Sequence, residues 1–336
     1  TLHFVVTYPV SVQSSHSQGD KQMDLPINAY FHGKIVPYAE AKVGVLTHGL
    51  NYGTAAFAGV RAYWNNDEQQ LFIFRPIDHY RRFLNSAKLL CMEFDHTPES
   101  LTQNTLELLR KDGHRCDLYI RPLAYKADEI IGVKLHGLHD EVTIVAIPFD
   151  RYVSNDTDAH VTISSWRRVD DNVIPARGKI SGAYANSAFI KTDALRSGFD
   201  EALVLTQEGH ISEGSAMNVF MVRDGILITP PLTENILEGI TRRSVIELAQ
   251  QELDLTIVER PIDRTEAYIC DEIFFTGTAA QVTAVTKVDH RPVGAGVMGP
   301  ITTSLRQILN DVVRGRMPKY RHWNTPVYVE EVESIV

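Results

Sequence analysis

Cysteine is scarce in this 336-residue chain. There are three, Cys91, Cys116 and Cys270, scattered and without a CxxC pair. That spacing excludes a disulfide framework and offers no zinc or other metal site, and a reducing, cytoplasmic setting fits it best. Long apolar runs are missing too: EALVLT, starting at Glu201, falls far short of a membrane span. Positive charge is outweighed, with 33 Lys and Arg against 42 Asp and Glu for a net charge of −9, so the basic stripe of a nucleic-acid binder is absent. No GxGxxG follows a strand and there is no GxxxxGKS, which removes dinucleotide and P-loop phosphate binding. HExxH and GxSxG are absent as well. No internal repeat or low-complexity tract is visible.

What remains is an ordinary globular composition, 44% hydrophobic and 22% charged, in a chain long enough for two domains. Residues 1–23 have an apolar and a polar half, but no basic segment and no small-residue cleavage site. They read as an N-terminal extension, an expression remnant or a peripheral strand, rather than a signal peptide. Residues 24–148 read as a small α/β domain. NAYFHGKIVP is a strand, a glycine turn and a strand; PIDHYRRFLNSAKLLC and PESLTQNTLELLRKDG are helices opened by proline; DLYIRPLAY and EVTIVAIPF are strands. Residues 149–160, FDRYVSNDTDAH inclusive, are polar and aperiodic, the candidate interdomain loop. Residues 161–336 form a larger β-rich domain, with strands at VTISSW, EALVLT, NVFMV, ILIT, LTIVE and EIFFTG. Its helices are NSAFIKTDALRSG, ITRRSVIELAQQ and PITTSLRQILNDVVRG. The fold class is α/β (α+β).

Four features carry chemistry. In ARGKISGAYANSA, Lys179 stands between Gly178, Ser181 and Gly182. On this segment alone it is either a surface lysine in a flexible loop or a desolvated amine able to form a Schiff base. HISEGSAMNVF puts Glu213 in an expected turn between strands, either solvated and idle or the partner of a cationic ring nitrogen. In LEGITRRSVIELAQQ, Gly239 precedes a helix whose first N–H groups, at Ile240 and Thr241, have no intrahelical acceptor. They serve as plain capping or as a phosphate site. FFTGTAAQVT runs a strand into Gly277, Thr278 and Ala279, either an ordinary hairpin or a second anion contact.

Together these are the parts of a pyridoxal phosphate site. In order along the chain, THGLNYGTAAFAGVRAY, YIRPLAY, Lys179 followed by GAYANS, ISEGSAMNVF, LEGITR and FFTGTAAQ resemble the fold-type IV pyridoxal phosphate enzymes, and most closely the branched-chain aminotransferases. The resemblance spans Tyr30 to Asp311. It implies a homodimer or higher homo-oligomer, a pseudo-barrel second domain, and amino acids and 2-oxo acids as substrates. It implies that Lys179 holds the cofactor and moves the proton, and that Glu213 keeps the pyridine nitrogen protonated, supported by Asn218. Tyr184 would bond the phenolic oxygen and Leu237 pack under the ring. Arg61 would ion-pair with the phosphate alongside Gly239, Ile240, Thr241, Gly277 and Thr278. On the substrate side it implies an apolar pocket from Tyr30, Phe31 and Gly33, with Tyr152 from the interdomain loop. Tyr119 and Arg121 would meet carboxylates, and the Thr278 and Ala279 backbone would meet the α-carboxylate. The implied reaction is ping-pong transfer of an amino group between branched-chain L-amino acids and 2-oxoglutarate.

The loop FDRYVSNDTDAH departs from the family's glycine-rich apolar loop, which leaves (R)-amine and D-amino acid transaminases as the alternative. An aminodeoxychorismate lyase would use the same Lys179 and Glu213. A scaffold that had lost chemistry would be expected to have lost Lys179, Glu213 or Arg61, and all three are present.

Overall fold

The computed structural model describes residues 25–149 and 155–328. The first half begins with the hairpin β1 (Asn28–Phe31) and β2 (Lys34–Pro37) and a short helix α1 (His48–Tyr52). Strands β3 (Ala55–Phe57), β4 (Val60–Asn65) and β5 (Gln70–Phe74) follow, then helices α2 (Pro76–Leu89) and α3 (Pro98–Asp112), and long strands β6 (Leu118–Lys126) and β7 (Asp140–Pro148). The second half runs through β8 (Ala159–Arg167), α4 (Tyr184–Arg196), β9 (Glu201–Leu205), β10 (Ile211–Gly214), β11 (Asn218–Arg223) and β12 (Ile226–Thr229). It continues with α5 (Ile240–Leu253), β13 (Ile257–Glu259), β14 (Glu272–Gly277), β15 (Gln281–Val288), β16 (Arg291–Pro292), α6 (Pro300–Val313) and β17 (Asn324–Pro326).

Local chemistry explains the helices. Both α2 and α3 open with proline in the first turn, and a capping box between Thr97 and Ser100 fixes the start of α3. Such a cap contributes about 1 kcal/mol. On α2, Tyr80, Phe83 and Ala87 fall on one face and are buried against the first sheet. Helix α3 ends at Gly113, whose φ of 69° is the left-handed conformation that glycine tolerates.

The strands form two sheets. The eight-stranded sheet has the order β17-β5-β4-β6-β7-β1-β2, with β3 beside β6. The nine-stranded sheet has the order β10-β9-β8-β15-β14-β11-β12-β13, with β16 beside β15. Strand β8 is parallel to both β9 and β15, and the curled second sheet wraps a core of its own built on Val219, Phe275 and Val285. Helices α5 and α6 cover its outer face over Phe220 and Phe274, whose rings stack at 5.1 Å.

One element crosses the expected division. The chain leaves α6 and returns to the first half, where β17 pairs antiparallel with β5, Thr325 facing Ile73. A boundary that gives everything after residue 161 to the second unit therefore misses this return. Its signal, three residues with a proline, is too short to read as a strand. No helix among the described residues is long and apolar enough to cross a membrane.

Candidate active site

Both sheets contribute to the wall of one cavity of about 480 Å³. Lys179 borders it, in the segment between β8 and α4, and two backbone bonds fix it there. Phe57 N–H donates to Lys179 O at 3.0 Å, tying the segment to β3, and Lys179 N–H donates to Ser86 Oγ on α2 at 3.1 Å. The lysine is thus braced from the first half although it belongs to the second. Its amine donates to the Tyr184 hydroxyl and lies 4.9 Å from the ring centres of both Phe57 and Tyr184. Desolvation there, reinforced by the Arg82 charge, lowers the amine's pKa to about 7. Burial likewise pushes the Tyr184 hydroxyl up to about 12, so it keeps its proton.

Glu213 sits within β10, not in the turn expected for it. A register shift against β9 between Ile211 and Glu213 re-aims the side chain. The carboxylate is buried, with Oε2 accepting from Asn218 Nδ2 and from Leu237 N–H, both at 3.2 Å. Oε1 meets Arg168 Nη2 at 3.0 Å. Burial raises its pKa; the Arg168 charge and the Leu237 donor oppose that rise.

Helix α5 begins at the cavity. Its N-cap is Gly239, without a side-chain cap, so the first N–H groups of the helix point at the space beside it. A Cβ at Gly239 would stand 2.0 Å from Asn218 Oδ1, so only glycine lets the helix start this close to the strand that carries Asn218. Opposite, the β14–β15 hairpin turns through Thr278, Ala279 and Ala280, all on the cavity wall with Gly277.

Tyr119 and Arg121 lie on one face of β6 and both line the cavity. Arg121 Nη2 donates to the Tyr119 hydroxyl at 3.0 Å, and its guanidinium covers the Phe57 ring at 4.6 Å. Gly59 makes room for this pair, since a Cβ there would lie 2.2 Å from Tyr119 Oη.

The structure thus brings Lys179, Tyr184, Glu213, Asn218, Leu237, Gly239, Ile240, Thr241, Gly277, Thr278, Ala279, Tyr119 and Arg121 to one cavity. Four expected residues are elsewhere. Arg61 is buried on β4, where its Nη2 donates to Phe149 O at 2.9 Å and approaches Asp117 at 3.6 Å. It lines a small recess together with Thr241, Gly277 and Thr278, which also line the main cavity. Tyr30 and Phe31 are buried on β1, Tyr30 in the core beneath α2 and α3, and Gly33 turns the β1–β2 hairpin; none lines the cavity. Their strand is separated from β6 by β7. Tyr152 lies outside the described residues.

The main cavity also has Arg82, from α2, facing the start of α5 and donating to Glu238 O at 2.9 Å. The apolar wall of the cavity is Phe57, Leu123 and Met217. No local motif announces Arg82, which sits in a run of helix-surface residues beside Arg81. Phe57 lies within the AAFAGVRAY stretch and Leu123 within YIRPLAY, both at alternating strand positions pointing inward. These residues fit a phosphorylated pyridine. A guanidinium, the open helix N–H groups, a buried carboxylate and a neutralisable amine all line the same cavity. The Thr276 hydroxyl, on the same wall, is buried without a hydrogen-bond partner.

Comparison with known proteins agrees. The sequence profile of the amino-transferase class IV family matches residues 57–288. A probable branched-chain-amino-acid aminotransferase of Aquifex aeolicus is 48% identical over 300 residues, 89% of this chain and 96% of that one. The crystal structure of a branched-chain aminotransferase from Thermoproteus uzoniensis with norvaline superimposes with a TM-score of 0.85 at 41% identity, covering 90% of this chain and 100% of that one. The T.th. branched-chain amino acid aminotransferase complexed with N-(5'-phosphopyridoxyl)-L-glutamate gives a TM-score of 0.84 at 40% identity, covering 90% and 99%. An amine, an anion cup and a buried carboxylate around one cavity, on a fold shared along nine-tenths of the chain, leave one conclusion: this chain belongs to the pyridoxal phosphate-dependent class IV aminotransferases, among the branched-chain-amino-acid aminotransferases.

Proposed function

We propose that the chain moves the amino group between branched-chain L-amino acids and 2-oxoglutarate by a ping-pong mechanism. The observation that carries this reading is that the Lys179 amine and the Arg121 guanidinium share one apolar wall, with Phe57 between them. Pyridoxal phosphate supplies, when bound, the electron sink that loosens the bonds at the substrate's Cα. The protein does the rest. Lys179, with a pKa near 7, binds the cofactor as a neutral amine and then holds or returns the proton at Cα. Tyr184, which keeps its own proton, donates to the phenolic oxygen. Arg82, the α5 N–H groups and Thr241 take the phosphate, and the 278–279 backbone takes the α-carboxylate. Phe57, Leu123 and Met217 receive a branched side chain, and Arg121 swings from its stack on Phe57 to meet the side-chain carboxylate of glutamate. A charge is then never left buried without a partner. The names of the relatives support both halves: one holds norvaline, an apolar amino acid, the other a glutamate adduct.

A second copy completes the assembly in this reading. Val45, Leu50, Ile131 and Val133 are exposed by 81%, 64%, 85% and 76%. They are drawn together where His48 contacts Gly132 O at 2.7 Å and Gly132 N–H donates to the Tyr52 hydroxyl. A patch of this kind is what a homodimer covers. The division into units at 24–148 and 161–336, apart from β17, and a cytoplasmic location belong to the same proposal.

The test is a half-reaction panel on the holoenzyme, following loss of the cofactor's visible band with L-leucine, L-glutamate, D-alanine or (R)-1-phenylethylamine. Bleaching by the two L-amino acids alone is expected. Bleaching by D-alanine or the (R)-amine instead would move the chain to the alternative transaminase reading.

A further inference from the structure

Glu213 is met by three donors, and only one is charged. Asn218 and the Leu237 N–H hold Oε2, while Arg168 holds Oε1. Arg168 lies just beyond β8 and is set in place without help from any ligand. Its N–H donates to Leu205 O at 2.9 Å and its Nε to Asn235 O at 3.1 Å. Asn235, in the left-handed region with φ 58°, is itself tied to Asp170 at 3.2 Å. Among the described residues, Glu213 is the sole carboxylate in ion-pair range of Arg168.

We infer that Arg168 is a positioning residue for the cofactor's ring nitrogen, holding the Glu213 carboxylate ionised and aimed, so that the nitrogen's proton depends on Arg168 as well as on Glu213. This rests on the reading that Glu213 faces that nitrogen. The physical reason is the surroundings of the carboxylate. Neutral donors oppose the uptake of a proton by a buried carboxyl less strongly than a guanidinium does, and once protonated the carboxyl becomes a donor itself. It then has no charge with which to keep a pyridinium. The ionisable groups that face Glu213 are Arg168 from the segment after β8, Lys179 before α4 and Tyr184 on α4. From β11 and the approach to α5 come only the neutral Asn218 amide and the Leu237 N–H. Tyr184 is neutral, and Lys179 gives up its charge near neutrality. Arginine does not, so Arg168 sets the state of Glu213 across the working range.

The experiment compares binding of pyridoxal phosphate with its 1-deaza analogue, in which carbon replaces the ring nitrogen, to the full-length apoprotein. Both ligands keep the phosphate and the aldehyde, so their ratio isolates the nitrogen. Wild type is expected to prefer pyridoxal phosphate, and Arg168→Met to lose about tenfold of that preference, one unit of carboxyl pKa. Arg168→Lys should retain most of it. In parallel, the Glu213 carboxyl carbon, assigned by its disappearance in Glu213→Gln, should titrate at higher pH in Arg168→Met. A purely structural role for Arg168 weakens both ligands equally and leaves the ratio alone. An unchanged ratio with an unchanged titration overturns the inference and spares the reading of Glu213. A wild type that binds both ligands equally overturns the reading of Glu213 and the inference with it. If Arg168→Met does not fold, Arg168→Gln carries the same comparison.

Discussion

The two halves of the chain build their walls of the cavity by different means. The second half contributes through the backbone and through short-range motifs: the open start of α5, the β14–β15 turn, and the bulge that aims Glu213 at Arg168. The first half contributes side chains spread over strand faces and one helix: Phe57, Gly59, Tyr119, Arg121 and Leu123 from the sheet, Arg82 from α2. Backbone donors do not change with sequence, so the second wall suits what stays constant, the cofactor. Side chains do change, so the strand faces of the first half suit what is chosen, the substrate, while Arg82 on α2 serves the phosphate in the proposed reading. Lys179 belongs to both, being carried by the second half and braced by Phe57 and Ser86 of the first.

Removing the shared element should have the largest effect. Lys179→Ala is expected to lower kcat by about 10²–10⁴-fold from the proton transfer alone, with borohydride no longer fixing the cofactor to the protein; appreciable turnover would take Lys179 out of its role. The next effect separates the two arginines of the first half. Arg82→Ala should weaken pyridoxal phosphate binding about ten- to a hundredfold, the worth of a charged hydrogen bond of ~1.5–3 kcal/mol. Arg61→Met should leave that affinity nearly intact while lowering the melting temperature, since its guanidinium serves Phe149 O and Asp117. Equilibrium titration of both apoproteins decides, and the reverse pattern would restore Arg61 to the phosphate.

Smaller, and confined to the substrate wall, is Arg121→Ala. Its kcat/KM should fall for glutamate about tenfold more than for leucine, measured with each donor against a common acceptor. Equal losses would mean that the wall does not discriminate by charge. The mildest test is pH. The Lys179 amine is lowered from 10.5 to about 7 in the folded protein. Burying it therefore costs stability in full below about pH 7, and that cost fades as pH rises toward the unfolded value. Apo Lys179→Met should be more stable than apo wild type at pH 6, by a margin that narrows at pH 9 in thermal melts. A margin independent of pH would place the titration elsewhere.

Helices and most strands were legible in the sequence, because apolar periodicity, proline starts and glycine stops are local. Equally legible were groups that line the cavity and lie within a few residues of one another: Lys179 with Tyr184, Glu213 with Asn218, Gly239 with Thr241. Only the tertiary structure decided the rest. Arg61 lies in the GVRAY stretch, whereas Arg82 sits in a plain run of helix-surface residues. It is the antiparallel pairing of Arg61 with Tyr119 on β4 and β6, and the packing of α2 against the start of α5, that turns one to Asp117 and the other to the cavity. Tyr30 and Phe31, read as pocket residues, do not line the cavity of the single chain, because the order β6-β7-β1 sets a whole strand between them and it. Arg168 meets Glu213 across 45 residues of chain, a distance that no local pattern reports and that a fold closes to 3.0 Å. Local motifs record which groups a cofactor needs. Which side chains face them depends on strand order and register, and those are settled by the burial of the whole sheet at once.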